Sequence, residues 1–310
     1  MDLAIVVAMQ VCIMFILIML GFTAKRTGLV TKDGSKQLSN ILLFLVTPCV
    51  LVKAYQVEFK AELVYNLLIA FAGAIAINVL SLLMAKLFFG KRKNEKSVIN
   101  EYCCSYSNSG FMGIPLLEAA VGTQGVFYGS AYLAIFNILN WTHGVYLYSG
   151  DKKSLSIKKI ILNPGVLGVL AGLLLFFTRI KLPGIVMTAV NYMAGLNTPV
   201  AMMLLGMFLA DVDLKKAIKN ASLYSVSAVR LILVPILAIF ILKIAGMPNE
   251  VAVAIVISSA CPCATASAIF AAKYDLDAGY ASEIVSLNTV MSIATLPVVV
   301  AINSLAEMIF

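Results

Sequence analysis

Asn108-Ser109-Gly110-Phe111-Met112-Gly113-Ile114-Pro115 falls in the middle of an apolar run long enough to span a bilayer. Glycines and a proline at that depth interrupt the helical hydrogen-bond ladder where lipid offers no replacement partners. Such a break survives where it lines a protein-walled cavity, and the freed groups then become a resource: half-helix N-termini attract anions, and free carbonyls suit cations. A second break, Ser258-Ser259-Ala260-Cys261-Pro262-Cys263, lies in the other half of the chain. If the two segments cross, Ser107, Asn108 and Ser109 line one side of a midplane polar pocket. Ser258, Ser259 and Thr265 line the other, with Gly110, Pro115 and Pro262 loosening the backbone. The plainer alternative is that the serines bond their own helices and the glycines permit close packing.

Ionisable residues inside a membrane are costly, so each needs a reason. Arg230, in Ser-Ala-Val-Arg-Leu-Ile-Leu, is too deep to snorkel; it either holds a carboxylate substrate or pairs with a buried acid such as Glu118 or Glu283. Those two carboxylates are in turn candidates for ion coupling, or interfacial groups. Glu101 and Lys86 are nearer a boundary. His143 follows Asn140 and Trp141 near the end of a span, where an interfacial place beside an aromatic belt competes with a proton relay. Asn137 lies one helical turn from Asn140 and is a pore-lining candidate; Asn288 and Thr289 are comparable.

Cys12, Cys49, Cys103, Cys104, Cys261 and Cys263 all stand in apolar stretches, where small buried side chains are expected. Cys-Pro-Cys within a span matches the chemistry of soft-cation pumps, yet neither a P-loop nor room for a phosphorylation domain accompanies it. No metal-ligand spacing or nucleophile–base signature occurs, so neither a metal cofactor nor an enzymatic activity is expected.

The elements that must position these residues follow from composition. The chain has 310 residues, 61% hydrophobic and only 12% charged, with a mean hydropathy of +0.98. Soluble domains carry about 25% charge. An all-α integral membrane protein is expected, with ten spans at residues 3–22, 37–56, 63–88, 97–120, 124–147, 158–178, 185–209, 219–244, 249–272 and 280–304. The first span is too long, and its basic residues too late, for a cleaved signal peptide. Odd-numbered loops carry Lys25, Arg26, Lys32, Lys36, Lys91, Arg92, Lys93, Lys96, Lys152, Lys153, Lys158, Lys159, Lys215, Lys216, Lys219 and Lys273. Even-numbered loops carry only Lys53, Lys60, Arg179, Lys181 and Lys243. The positive-inside rule then puts the odd loops in the cytoplasm and both termini outside the cell membrane. The +8 net charge is distributed over these loops and forms no nucleic-acid face.

The spacing that carries Thr47-Pro48 onto Thr198-Pro199 also carries Asn108 onto Ser259. Five spans per repeat invert the second copy, giving one repeat over 1–148, a linker over 149–157 and an inverted repeat over 158–310. Spans four and nine are the broken pair.

Four segments in order resemble the auxin efflux carrier family of permeases: Asn108-x-Gly110-Phe111-x-Gly113-x-Pro115-Leu116, Asn163-Pro164-Gly165, the run from Pro199 to Gly206 followed by Leu209-Ala210, and Thr289-x-x-Ser292-x-x-Thr295-Leu296-Pro297. The resemblance covers nearly the whole chain. It implies two inverted five-span repeats whose broken spans four and nine cross at the substrate site. It also implies an elevator-like shift between a scaffold and a transport domain, a homodimer, and an organic anion as substrate. Asn108, Pro115 and Pro262 are the positions onto which the family's site carries over. The Asn-Pro-Asn-Thr-Tyr form of the plant members is absent, and the central loop from Tyr148 to Ser156 is short. A prokaryotic-type carrier of a dicarboxylate like malate or malonate, or of an auxin-like carboxylate, is the expectation, coupled to H+ or Na+. A sodium-coupled symporter of sterol- or bile-acid-like compounds and a non-transporting membrane sensor are the alternatives.

Overall fold

A computed structural model of the chain describes residues 3–91 and 94–309. Arg92 and Lys93, counted above among the basic loop residues, lie outside the described residues. Among those described, every named element is helical. Six helices are long and apolar enough to cross a membrane: α1 (Leu3–Arg26), α2 (Lys32–Tyr55), α3 (Ala61–Phe89), and, later in the chain, Gly184–Ala210, Ala221–Ile244 and Ala278–Glu307. Between and after them stand shorter pieces. We number α4 (Glu95–Ser105), α5 (Ser109–Val121), α6 (Thr123–Leu139), which continues through a π-turn at Asn140–Gly144 into Val145–Ser149, and α7 (Pro164–Thr178). Then come α8 (Gly184–Ala210), α9 (Ala221–Ile244), α10 (Asn249–Ala260), α11 (Ala266–Lys273) and α12 (Ala278–Ile309). The predicted fourth and ninth spans are therefore each two helices with non-helical residues between them.

Side-chain distribution shows the medium these helices suit. In α1, Val7, Val11, Met14, Ile18 and Gly21 recur at three- and four-residue spacing and are buried. Ile5, Met9, Ile13, Ile16 and Leu20 on the remaining faces are exposed. An outward apolar surface of this extent matches hydrocarbon rather than water. In contrast α10 is buried from Val251 to Ala260 on all sides and forms the centre of the packing.

Close helix approach is set by glycine at two facing positions. A Cβ on Gly206 would lie 1.9 Å from the Ile18 carbonyl oxygen, and one on Gly21 would lie 2.0 Å from the Met203 carbonyl oxygen. α1 and α8 thus meet backbone to backbone, a packing that dispersion rather than hydrophobicity drives in lipid. α7 lies along α2, and α10 is enclosed by α3, α6, α9 and α12.

Prolines explain three of the four π-turns. Leu42–Val46, Ser109–Gly113 and Val229–Leu233 are each followed by a two-residue step containing Pro48, Pro115 or Pro235. A proline ring clashes with the carbonyl four residues back, and widening the preceding turn moves that carbonyl aside. The amides of Thr47, Ile114 and Val234 accordingly bond the carbonyls five residues earlier, at Leu42, Ser109 and Val229.

Candidate functional site

The two breaks meet. Tyr106 leaves α4 in an extended conformation (φ −114°, ψ 121°), and Cys261 leaves α10 extended as well (φ −59°, ψ 149°). Ser107 and Cys263 then form an isolated antiparallel bridge. The Asn108 amide donates to the Pro262 carbonyl at 2.7 Å, and the Ala264 amide donates to the Tyr106 carbonyl at 2.9 Å. Each interruption supplies the partners that the other lacks. Unpaired, every such buried group would cost about 1–3 kcal/mol.

Four half-helix ends converge at this crossing, and they are treated differently. The C-terminal ends of α4 and α10 share one cation. Arg230 of α9 is fully buried, 0% exposed; its Nη1 donates to the Cys104 carbonyl at 3.2 Å and its Nε to the Cys261 carbonyl at 3.3 Å. Its Nη2 donates to the Ser259 carbonyl. The expected acid partner of Arg230 is thereby corrected: Glu118 pairs with Lys53 at 2.7 Å and Glu283 with Lys216 at 3.0 Å. Carbonyls released by the breaks take the guanidinium instead, because a planar fork suits several acceptors at once. Lys216, in the short helix Leu214–Lys219 outside the spans, is held above its ordinary range by its bond to the Glu283 carboxylate.

The N-terminal end of α5 has no such partner. The Asn108 carbonyl caps it, accepting from Met112 at 3.1 Å and Gly113 at 3.2 Å. The Asn108 side-chain amide nitrogen and the Ser109 hydroxyl are buried without a hydrogen-bond partner. Asn108 and Ser109 are 5% and 3% exposed, so water does not satisfy them from bulk. Unsatisfied buried donors on a positive helix end are the chemistry of an anion seat.

The other sequence candidates distribute unevenly. Ser107 faces Tyr132 at 3.4 Å. Gly113 passes Cys261, whose sulfur lies 3.5 Å from an added Cβ, and Gly110 faces Leu133. Pro115 sits in the first turn of the α-helical part of α5. Ser258 and Ser259 bond the Ala254 and Val256 carbonyls of their own helix, as the plainer reading holds. Asn137 likewise bonds Leu133 at 2.8 Å, and its amide presses against Gly165 of α7 rather than entering the crossing. Asn163 caps α7 by accepting from Gly165 and Val166. Thr289 bonds its own helix, while Asn288 reaches Ser227.

A cavity of about 120 Å³ adjoins the crossing, lined by Thr265, Phe208, Asp211, Ser282 and Ser286 among others. A larger one, about 550 Å³, lies at the opposite end between α3 and α6, with Lys60, Glu62, Gln124 and Glu250. Sequence reasoning missed Tyr106 altogether. Its carbonyl joins the crossing, and its hydroxyl lies 2.9 Å from His143 Nδ1. It missed the Cys103–Ser267–Tyr148 chain too, with contacts of 3.0 and 2.8 Å.

Residues 6–300 match the family model described as membrane transport protein. Two archaeal proteins are similar over nearly their whole lengths. An uncharacterized transporter of Methanothermobacter thermautotrophicus is 25% identical over 296 residues, covering 91% of this chain and 93% of its own. An uncharacterized transporter of Methanocaldococcus jannaschii is 24% identical over 299 residues, covering 91% and 94%.

Proposed function

From the premise that this chain belongs to the membrane transport protein family of auxin efflux carriers, we propose that it is a secondary carrier of a small organic anion. The observation that carries the anion assignment is the buried, partnerless side-chain nitrogen of Asn108 beside the Ser109 hydroxyl at the N-terminal end of α5. A carboxylate accepts from both donors and faces a helix end of favourable sign. A dicarboxylate of the malate or malonate type fits the reading best.

In this reading the twelve helices are ten spans in two inverted repeats, the α4–α5 and α10–α11 pairs each counting as one broken span. The crossing is the seat of alternating access, and the chain works as a homodimer in the cell membrane with both termini outside. Two features support this arrangement. The breaks pair with each other, and the Lys53–Glu118 and Lys216–Glu283 ion pairs join groups expected at the outer and inner ends respectively. Both carboxylates have a lysine counter-charge, which argues against either as the ion-coupling group.

Purified protein in liposomes, assayed for uptake and counterflow of radiolabelled malonate, malate and indole acids, tests the proposal. Asn108→Ala is expected to lower flux about tenfold or more, since one charge-assisted hydrogen bond contributes about 1.5–3 kcal/mol. Membrane insertion stays intact. Absence of flux for every acid in the panel, or wild-type flux in Asn108→Ala, overturns it.

A further inference from the structure

His143 is the one histidine of the sequence, and Tyr106 links it to the crossing. The Tyr106 carbonyl accepts from the Ala264 amide at 2.9 Å, inside the paired breaks. Its hydroxyl lies 2.9 Å from His143 Nδ1 and 3.0 Å from the Leu139 carbonyl oxygen. We propose that His143 binds a proton as a second ligand of the carrier, and that Tyr106 transmits its presence to the crossing. The proposal rests on the crossing being the substrate seat.

A phenol has one proton to donate, so its two neighbours compete for it. When the imidazole is neutral and carries its proton on Nε2, the Tyr106 hydroxyl donates to Nδ1. When a proton from the aqueous phase binds, Nδ1–H becomes the donor. The phenol oxygen then accepts from the ring and turns its own proton to the Leu139 carbonyl. The Leu139 carbonyl, which also accepts from Thr142 Oγ1 at 3.3 Å, therefore has the phenol as a donor only in the charged state, so the partner that holds the Tyr106 side chain changes with the charge. The carbonyl engaged in the charged state immediately precedes the π-turn Asn140–Gly144, a local geometry often found at functional sites.

The surroundings allow this titration. His143 is half-buried and lies six residues before Ser149, about 9 Å along the helix from its end, so water at that boundary can exchange the proton. Lys86 of α3 is the charge that acts on it within the bundle, and Glu101 of α4 acts on Tyr106. The short helix Ile157–Ile161, which packs on the π-turn, adds Lys158 and Lys159. Tyr102 bonds Asn140 of the same turn, and Tyr148 bonds Ser267 behind it. None of these groups bonds His143 directly; Tyr106 does.

Protein labelled with the heavy nitrogen isotope in histidine alone gives one imidazole, whose nitrogen shifts report tautomer and charge without ambiguity. Hydrogen exchange of peptides containing Ala264 reports the crossing. The expected result is an imidazole that changes charge state once as the pH is lowered from neutrality. Across that step, Ala264 exchange, corrected for its intrinsic rate, changes by about tenfold. In Tyr106→Phe the imidazole still titrates, but the exchange change falls below about twofold. In His143→Gln both responses vanish. An imidazole that keeps one charge state throughout, or Ala264 exchange with the same pH dependence in Tyr106→Phe as in wild type, overturns the proposal. Neither measurement requires a transported substrate, so failure here is distinct from failure of the carrier reading, which the liposome panel decides.

Discussion

Replacing Arg230 by methionine removes the donors on which both broken helices end. Three carbonyls, those of Cys104, Ser259 and Cys261, lose their guanidinium partner in a site where Arg230 itself is 0% exposed. Each buried carbonyl left without a donor costs about 1–3 kcal/mol. Against this, the large desolvation cost of a buried cation, several kcal/mol, disappears with the arginine. Partial relaxation of the loosened segments lowers the sum further. Of a gross cost of roughly 3–9 kcal/mol, a net loss of about 3 kcal/mol is the expectation, which raises the population of locally opened states about 100-fold. The cysteines provide the readout. Cys103, Cys104, Cys261 and Cys263 are buried and free around the crossing, whereas Cys12 is exposed. With Cys12 and the half-buried Cys49 replaced by serine, the rate of labelling by a thiol-reactive fluorophore measures opening at the crossing. Arg230→Met should label about 100-fold faster than wild type, and Arg230→Lys, which keeps the charge but not the fork, should fall between. Labelling of Arg230→Met within about twofold of wild type would refute the idea that this cation ties the half-helices together.

Gly206→Ala is expected to abolish a monodisperse folded protein in mild detergent, because its Cβ would meet the Ile18 carbonyl at 1.9 Å and a backbone atom cannot yield. Gly195→Ala, where an added Cβ meets nothing within 4 Å, should fold normally and gain up to about 1 kcal/mol. For Lys53 and Glu118, whose side chains are 28% and 35% exposed, a double-mutant cycle to alanine in thermal unfolding should give a coupling of only about 0.5–1 kcal/mol. A coupling near zero would mean that the 2.7 Å contact is not maintained in the bilayer.

The breaks were legible because glycine and proline carry their meaning locally: Gly110, Gly113, Pro115 and Pro262 could not continue a helix without consequence. The π-turn at Ser109–Gly113 was available from the same proline and went unread, although Pro48 and Pro235 repeat the pattern. Long-range pairings were less legible. Arg230 was recognised as needing partners, but its partners are backbone carbonyls, which have no identity in a sequence and become acceptors only where another helix stops. Glu118 and Lys53 stand 65 residues apart, and nothing local joins them. Ser258 and Ser259 show a different difficulty. Their types suggested a lined pocket, while a serine in a buried helix bonds its own turn whenever no better acceptor is offered.

In the proposed reading these partners also give the crossing its preference of charge sign. A helix break at the midplane produces two negative C-terminal ends and two positive N-terminal ends, which alone would leave the site close to neutral. Arg230 serves the negative ends, since Cys104 lies in the last turn of α4 and Ser259 in the last turn of α10. At the positive end of α5 the Asn108 amide and the Ser109 hydroxyl remain buried and unanswered. The guanidinium adds one full positive charge to an otherwise balanced set of helix ends. In the proposed reading a cation approaching Asn108 meets a helix N-terminus in a site that already holds a guanidinium. An anion finds donors to bond and a charge to offset the loss of its hydration shell. A cation-conducting crossing would need the reverse arrangement, with an acid in place of Arg230 and the C-terminal carbonyls free.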